Sequence, residues 1–274
     1  HGHPRGQRLF VARHPRTPVR KRCLSALPMP EPLTIVEILE RSEQGVTRPF
    51  LCRCDDDNLY YVKGRSAGAR SLLCEWLAGH LARALGLPVP EFAIVQASQA
   101  LLALHPEGSD LGSMPAFGSC KVAHVQELTV SHLDDVPAAL QRDVLVFDWW
   151  VRNADRTLTT LSGNPNLMWD ATGKRLVVID HNVAFDPDFA AVGFSQAHVF
   201  SAQIPFVFQD LAEQGHYARR LREALAVWPE ACNNAPAQWW FVDEERTVPT
   251  DFNLTAALTL LNRCTTEELW RSPP

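Results

Sequence analysis

The segment NADRTLTTLSGNPNLMWDATGKRLVVIDHNVAF (153–185) contains an apolar, strand-like run, Leu-Val-Val-Ile, that ends abruptly at Asp180. Burying a carboxylate without a partner carries a large free-energy cost, so something must compensate the charge of Asp180. A helix N-terminus or an arginine would make this residue structural. A metal ion would make it part of a catalytic site.

A second polar residue in the segment is placed to meet Asp180. Asn166 immediately precedes Leu-Met-Trp, and DATGK supplies turn chemistry between the two apolar runs. In the resulting hairpin, Asn166 and Asp180 lie at the same open end of the two strands. An amide oxygen and a carboxylate suit a hard cation such as Mg²⁺. The alternative is a pair of strand ends capped by turn residues.

Upstream of the hairpin, the apolar helical run VPAALQRDVLVFDWWVRN (136–153) leads directly into Asp155. A carboxylate on a loop that leaves a rigid helix can orient a hydroxyl and accept its proton. Asn153 and Asp155 bonding to local backbone at a helix-ending turn is the structural alternative.

Further upstream, Lys63 closes the strand-like NLYYVKG, and Glu75 lies on the following helix. A lysine at the end of a buried strand, held by a helix carboxylate, can place a cation on nucleotide phosphates. Taken alone, either residue also fits a solvated surface charge.

The order of elements predicts an α+β protein with two lobes. Residues 33–64 read as three short strands, followed by a helix that Gly86 and Pro88 stop, and by strands at 91–98 and 120–128 around a looser connection. These form a small antiparallel β lobe with one helix (33–128). The larger lobe (129–274) is mainly helical, with the hairpin at its start, and the chemistry lies in the cleft between the lobes.

Composition restricts the classes of function. Seven of the 26 basic residues and none of the 31 acidic ones lie in residues 1–30, so residues 31–274 carry a net charge of −12, which argues against nucleic-acid binding. We expect residues 1–32 to be a disordered, Pro-rich extension, with an anion-binding arm or a transit-like segment as the alternatives. No long apolar run or secretory signal is visible, so we expect a cytoplasmic protein without a membrane segment, its cysteines reduced.

Five motifs together resemble those of the HipA-like kinases, relatives of the protein kinases and phosphatidylinositol kinases. They are VKG with Lys63, CEWLAGHLARALGLPVPE with Glu75, NADR, NPNLMW and VVIDHNVAF, and the resemblance spans residues 33–190. It implies a two-lobed protein-kinase-like fold. Lys63 would contact the nucleotide phosphates, Glu75 would hold Lys63, and Asp155 would be the catalytic base, with Asn166 and Asp180 binding Mg²⁺.

The resemblance also implies sites for the rest of ATP. The hinge that meets adenine would be formed by Gln126, Glu127 and Leu128. The loop that covers the phosphates would use backbone N–H groups of Ser42, Gln44 and Gly45. This loop has a single glycine where protein kinases have several, so an ordinary hairpin turn is the alternative.

The spacing between base and metal ligand departs from the family pattern. Asn166 lies eleven residues after Asp155, and Asn164 nine, whereas the family usually places the two residues closer together. The segment TLTTLSG must therefore bulge outward, which a polar loop with Gly163 can do at small entropic cost. Asn166 is preferred to Asn164 because it adjoins the strand.

The sequence thus predicts an ATP- and Mg²⁺-dependent phosphotransferase, in particular a HipA-like serine/threonine kinase. The same catalytic groups would serve a small-molecule or lipid kinase, because they act on phosphate and metal. The short glycine loop and the long catalytic loop leave a third possibility, an inactive nucleotide-binding or interaction module in a toxin–antitoxin-like assembly with a partner protein. No motif identifies the acceptor.

Overall fold

The computed structural model describes residues 1–2, 31–43, 47–159 and 163–271. Nearly all of the predicted extension 1–32 lies outside these residues, as do Gln44 and Gly45 of the predicted phosphate loop. The described chain has a mixed α/β fold.

The three predicted N-terminal strands are confirmed, and they belong to one sheet. Its strands are β1 (Leu33–Arg41), β2 (Phe50–Cys54), β3 (Leu59–Lys63), β4 (Phe92–Ala97) and β5 (Ala116–Cys120). Hydrogen bonds connect them in the order β1-β2-β3-β5-β4, and each of these four neighbouring pairs is antiparallel. The first and last strands of this order, β1 and β4, pair in parallel. Cys52 and Cys54 are free thiols on the buried face of β2, where burial raises the pKa of each to about 12.

The prediction of a strand at 120–128 was wrong, because the chain enters the sheet earlier. The connection after β4 holds two short helices, α2 (Gln99–Leu104) and α3 (Gly108–Leu111), and then β5. An added Cβ at Gly118 in β5 would lie 2.8 Å from Val95, so the small residues there permit close packing. Gln126–Glu127 form a separate two-residue strand, β6, which pairs with the later hairpin.

Helix α1 (Ala69–Leu85) follows β3 and ends, as predicted, at Gly86, whose φ of 91° is in the left-handed region that glycine adopts without strain. Its core is continuous with the helices near the C-terminus. The Trp76 indole donates to the Ala231 carbonyl at 2.9 Å, and Arg220 donates to the Leu85 carbonyl at 3.0 Å. Most of the buried apolar residues of the sheet belong to a second hydrophobic cluster.

The predicted apolar helix is α4 (Ala138–Val151), after which the chain forms two hairpins. The long segment between Asp155 and Asn166 bulges outward, as predicted, with β7 (Thr157–Leu158) paired to β8 (Gly163–Asn164). An added Cβ at Gly163 would approach the Thr157 carbonyl oxygen to 2.6 Å, so glycine allows this close crossing. The predicted hairpin follows as β9 (Leu167–Asp170) and β10 (Arg175–Val178).

The remainder of the described chain is mainly helical, as predicted. Its helices are α5 (Ala191–Ala197), α6 (Ile204–Phe208), α7 (Leu211–Leu225), α8 (Trp228–Asn233) and α9 (Leu254–Leu261), with short 3-10 turns between and after them. Asp210 caps α7 by accepting from two backbone N–H groups of its first turn. Within the described ranges, no helix has the length and apolar character needed to cross a membrane.

Candidate active site

The counter-charge of Asp180 is Lys63. The ammonium of Lys63, at the end of β3, lies 2.9 Å from Asp180 Oδ1 and 2.5 Å from Glu75 Oε1 on α1. The contact predicted between Lys63 and Glu75 is therefore present, and the same lysine also compensates the carboxylate that ends the apolar run. Lys63 and Glu75 are both buried.

One lysine shared by two carboxylates leaves their charges unequally compensated. Burial alone would lower the pKa of Lys63, but Glu75 and Asp180 outweigh it and raise that pKa. For Glu75, burial opposes ionisation, but Lys63 and the His181 side chain hold the pKa below its ordinary value. The backbone N–H of His181 also donates to Glu75 Oε2 at 3.0 Å. Asp180 retains a raised pKa because burial outweighs the attraction of Lys63. Asp180 is thus the less satisfied of the two carboxylates.

Asp155 lies beside Asn166, at the open end of the β9–β10 hairpin. Asp155 Oδ2 accepts from Asn166 Nδ2 at 2.9 Å, while its Oδ1 is buried and has no hydrogen-bond partner among the described residues. Burial raises the pKa of Asp155 to about 7, Arg156 partly opposes this, and the nearby Asp180 adds to it. The carboxyl therefore titrates near neutral pH.

Asn166 and Asp180 meet at the open end of the β9–β10 hairpin. The Ile179 N–H donates to the Asn166 carbonyl at 3.1 Å, one step beyond the last strand pair. Asn166 (φ 48°) and Asp180 (φ 57°) both have left-handed backbone, which asparagine and aspartate tolerate better than most residues. Asn164, in contrast, is exposed in β8 and pairs with Thr157. Of the two asparagines, Asn166 lies against Asp155.

A buried arginine that sequence reasoning had not assigned holds this hairpin end in place. Arg156 is fully buried, and its Nε donates to Asp148 Oδ2 at 2.7 Å. Its Nη1 donates to the carbonyls of Asn166 at 2.6 Å and Ile179 at 3.0 Å. One guanidinium therefore fixes the backbone beside both Asn166 and Asp180.

Asp148, on α4, was also missed. Its carboxylate accepts from Arg156, from Asn153 Nδ2 at 2.9 Å and from His198 Nε2 at 3.0 Å. Burial alone would raise the pKa of Asp148, but Arg156 and His198 outweigh it and lower that pKa to about 2. The signal was a carboxylate within the apolar run VLVFDWW, which requires a buried partner for the same reason as Asp180 does.

Apart from Lys63, the residues predicted to contact the nucleotide belong to other segments of the chain. Gln126 and Glu127 are exposed in β6 and pair with β9, and the buried Leu128 donates its N–H to the Leu167 carbonyl at 2.9 Å. The predicted hinge segment is therefore an additional strand beside the β9–β10 hairpin, and not the end of the last strand of the five-stranded sheet. At the predicted phosphate loop, the Ser42 N–H donates to the Pro49 carbonyl at 2.9 Å.

The charges of the site fit a divalent cation. Lys63 and Arg156 lie among four carboxylates, those of Glu75, Asp148, Asp155 and Asp180, so the set has a formal charge of −2 when all are ionised. The Asp180 and Asn166 side chains supply hard oxygen donors for such a cation. The described residues contain no cluster of three or more His, Cys, Asp or Glu arranged as a metal cage. A small number of protein ligands is enough for Mg²⁺, because waters and substrate phosphates fill the rest of its coordination shell.

A lysine paired with a helix carboxylate, facing a second carboxylate and a loop aspartate, is typical of enzymes that transfer phosphoryl groups. The model of the HipA-like kinase family matches residues 35–273, and the chain belongs to that family. This makes the protein a kinase by family. A solved structure described as a Helicobacter pylori proinflammatory kinase, CtkA, is similar with a TM-score of 0.41 and 12% identity, over 85% of this chain and 93% of that one. No curated protein matches the sequence.

Proposed function

We propose that this protein is an ATP- and Mg²⁺-dependent phosphotransferase that phosphorylates serine or threonine hydroxyls of a protein. The nucleotide binds between two lobes, residues 33–128 and 129–274. The observation that carries the proposal is the convergence of the Lys63–Glu75 pair, Asp180 and the Asp155–Asn166 pair on one site.

Lys63 neutralises the phosphates, and Glu75 keeps it in place. Because Lys63 contacts Asp180 in the structure, a phosphate that attracts the ammonium releases part of the Asp180 carboxylate for another cation. Asp180 and Asn166 are the residues that would hold Mg²⁺. Mg²⁺, when bound, neutralises charge on the phosphate oxygens and orients them.

Asp155 accepts the proton of the acceptor hydroxyl. A base works best with a pKa near the working pH, and burial raises the pKa of Asp155 to about 7. Its Oδ1 has no hydrogen-bond partner among the described residues and is the atom available to the hydroxyl, while Oδ2 is held by Asn166. Adenine contacts the 126–128 segment, and the loop that includes Ser42, Gln44 and Gly45 covers the phosphates.

The decisive experiment is transfer of radiolabelled γ-phosphate by purified variants. Asp155→Asn and Asp180→Ala should abolish transfer while circular dichroism shows folded protein. Asp188→Asn is the matched control, because Asp188 is exposed and lies outside the site. Undiminished transfer by either site variant would contradict the proposed mechanism.

Two further readouts separate this proposal from its alternatives. In a cell lysate, label on proteins supports a protein kinase, and label confined to metabolites or lipids supports a small-molecule or lipid kinase. Thermal stabilisation by ATP that requires Mg²⁺ supports an active nucleotide site. No stabilisation at millimolar ATP would indicate an inactive interaction module.

A further inference from the structure

His198 lies in a buried junction that none of the proposed catalytic roles uses. It is 3% exposed and follows α5, and its Nε2 lies 3.0 Å from Asp148 Oδ2. Its Nδ1 accepts from the Phe200 N–H at 3.1 Å. A backbone N–H can only donate, so Nδ1 is unprotonated and Nε2 carries the proton that is donated to Asp148.

The turn that carries His198 also holds the catalytic loop through its backbone. The Val199 N–H donates to the Arg156 carbonyl at 3.0 Å, and His198 forms an isolated β-bridge with Thr157. The rings of Phe194 and Phe200 pack against the imidazole, with centroids 4.7 Å and 6.2 Å away. Aromatic packing and hydrogen bonds thus fix this histidine in one orientation.

Through Asp148, this histidine contacts the residue that organises the site. Asp148 Oδ2 is shared by His198 Nε2 and Arg156 Nε, and Arg156 binds the carbonyls beside Asn166 and Asp180. If the bond from His198 is lost, Asp148 can rotate about its side-chain torsions. The planar guanidinium of Arg156 then loses the fixed partner that orients it.

We propose that His198 is a positioning residue of the phosphotransferase site. Through Asp148 and Arg156 it couples the chain segment around α5 to the placement of Asp155, Asn166 and Asp180. The inference rests on the proposed function for its kinetic consequence, but the coupling itself is a property of the folded chain. It predicts that a substitution of His198 alters the backbone at Asn166 and Ile179, whose carbonyls accept from the Arg156 guanidinium.

Two amide variants separate the hydrogen bonds of His198. The shorter side chain in His198→Asn retains an acceptor near the Phe200 N–H and cannot reach Asp148, whereas His198→Gln carries an N–H₂ group near the position of Nε2. The control is His80→Asn on α1, since His80 is a half-buried histidine packed on Trp76 and Phe92 whose Nε2 has no hydrogen-bond partner among the described residues.

Amide hydrogen exchange measures the coupling without any activity assay. The Ile179 and Val199 amides, which bond to Asn166 and Arg156, should exchange at least about tenfold faster in His198→Asn, whereas the amides of α7 keep their rates. His198→Gln and His80→Asn should match wild type at these two amides. Wild-type rates at Ile179 and Val199 in His198→Asn, or equal acceleration in α7, would overturn the proposal. If His198→Asn does not fold, His198→Gln decides: wild-type rates support the proposal, and acceleration overturns it.

Kinetics then test the catalytic consequence. His198→Asn should lower kcat at least about tenfold with KM for ATP within about twofold of wild type, because misplacement of the reacting groups affects the transition state more than nucleotide binding. His198→Gln should restore kcat. An unchanged kcat in His198→Asn, or no rescue by glutamine, would overturn the positioning role. Absence of transfer by wild type would instead refute the proposed function, and the exchange result would still decide the coupling.

Discussion

Asp148, which is fully buried, and Asp155, which is half-buried, lie seven residues apart in the sequence and have opposite pKa shifts. Asp148 accepts hydrogen bonds from Arg156, Asn153 and His198, and its pKa falls to about 2. Asp155 accepts one from Asn166, and burial raises its pKa to about 7. Because the more buried carboxylate has the lower pKa, the charge of Arg156 and the hydrogen-bond donors, and not burial alone, decide the direction of each shift.

The orientation of Arg156, which acts on both carboxylates, explains why the pKa shifts of Asp148 and Asp155 differ. Its Nε faces Asp148, while Nη1 is occupied by backbone carbonyls at the hairpin end. Arg156 therefore lowers the pKa of Asp155 only through space, without a direct hydrogen bond from its guanidinium in the structure. Asp155 therefore receives fewer hydrogen bonds than Asp148 does.

The largest expected effect comes from removing the charge of Asp148. Asp148→Asn leaves Arg156 buried without its ionic partner, so the free energy of unfolding should fall by about 3–5 kcal/mol. Asp143→Asn on the same helix is the control. Asp143 pairs with Arg220 in a more exposed position, and its loss should cost about 1–2 kcal/mol. Urea denaturation measures both, and equal losses would show that the buried pair is not special.

The same substitution at Asp155 should instead increase the free energy of unfolding at pH 8. The native carboxyl has a pKa of about 7 against an ordinary value of 3.8, so the native state binds the proton more tightly than the unfolded chain does. Wild type therefore loses stability as the pH rises from about 4 to about 7, a loss that a neutral amide escapes. Asp155→Asn should be more stable than wild type at pH 8, with an advantage roughly 2 kcal/mol larger than at pH 5.

Urea denaturation at the two pH values checks this, with Asp188→Asn as an exposed control. An advantage of Asp155→Asn that does not change with pH would mean that the carboxyl of Asp155 is not perturbed.

The smallest expected effect is at Asn164, and comparing it with Asn166 tests which of the two asparagines acts together with Asp155. Asn166→Gly keeps the left-handed backbone but removes the amide that holds Asp155, and should lower phosphate transfer at least about tenfold. Asn164→Gly should stay within about twofold of wild type, because the Asn164 side chain is exposed. Transfer assays under saturating ATP compare them, and a larger loss at Asn164 would reverse the assignment.

Much of the fold could be predicted because its signals are local. The stop of α1 at Gly86, the β9–β10 hairpin around a Gly-containing turn, and the bulge at Gly163 each follow from a few adjacent residues. The position of β5 could not be predicted, because the small residues around Gly118 resemble a turn until the neighbouring Val95 is known. Close packing between strands is a non-local property.

In the candidate site, too, the local contacts could be predicted from the sequence and the long-range contacts could not. The contact of Lys63 with Glu75 spans one strand-to-helix connection and was predictable, and its role in catalysis stays a prediction. The bond from His198 to Asp148 joins residues 50 positions apart and has no sequence signal. Asp148 could have been found, because a carboxylate within an apolar helix raises the same question as Asp180. The partner of Asp180 was sought in a metal, while the structure shows Lys63.

The packing of α1 has a consequence for the Lys63–Glu75 contact. Glu75 lies on a helix whose core is shared with the C-terminal helices, whereas most buried apolar residues of the sheet that carries Lys63 pack in the other hydrophobic cluster. The Lys63–Glu75 contact thus connects an element of one cluster to an element of the other. Because Ile94 in β4 and Phe117 in β5 pack in the same cluster as α1, shared apolar packing as well as charge holds this lysine and this glutamate together.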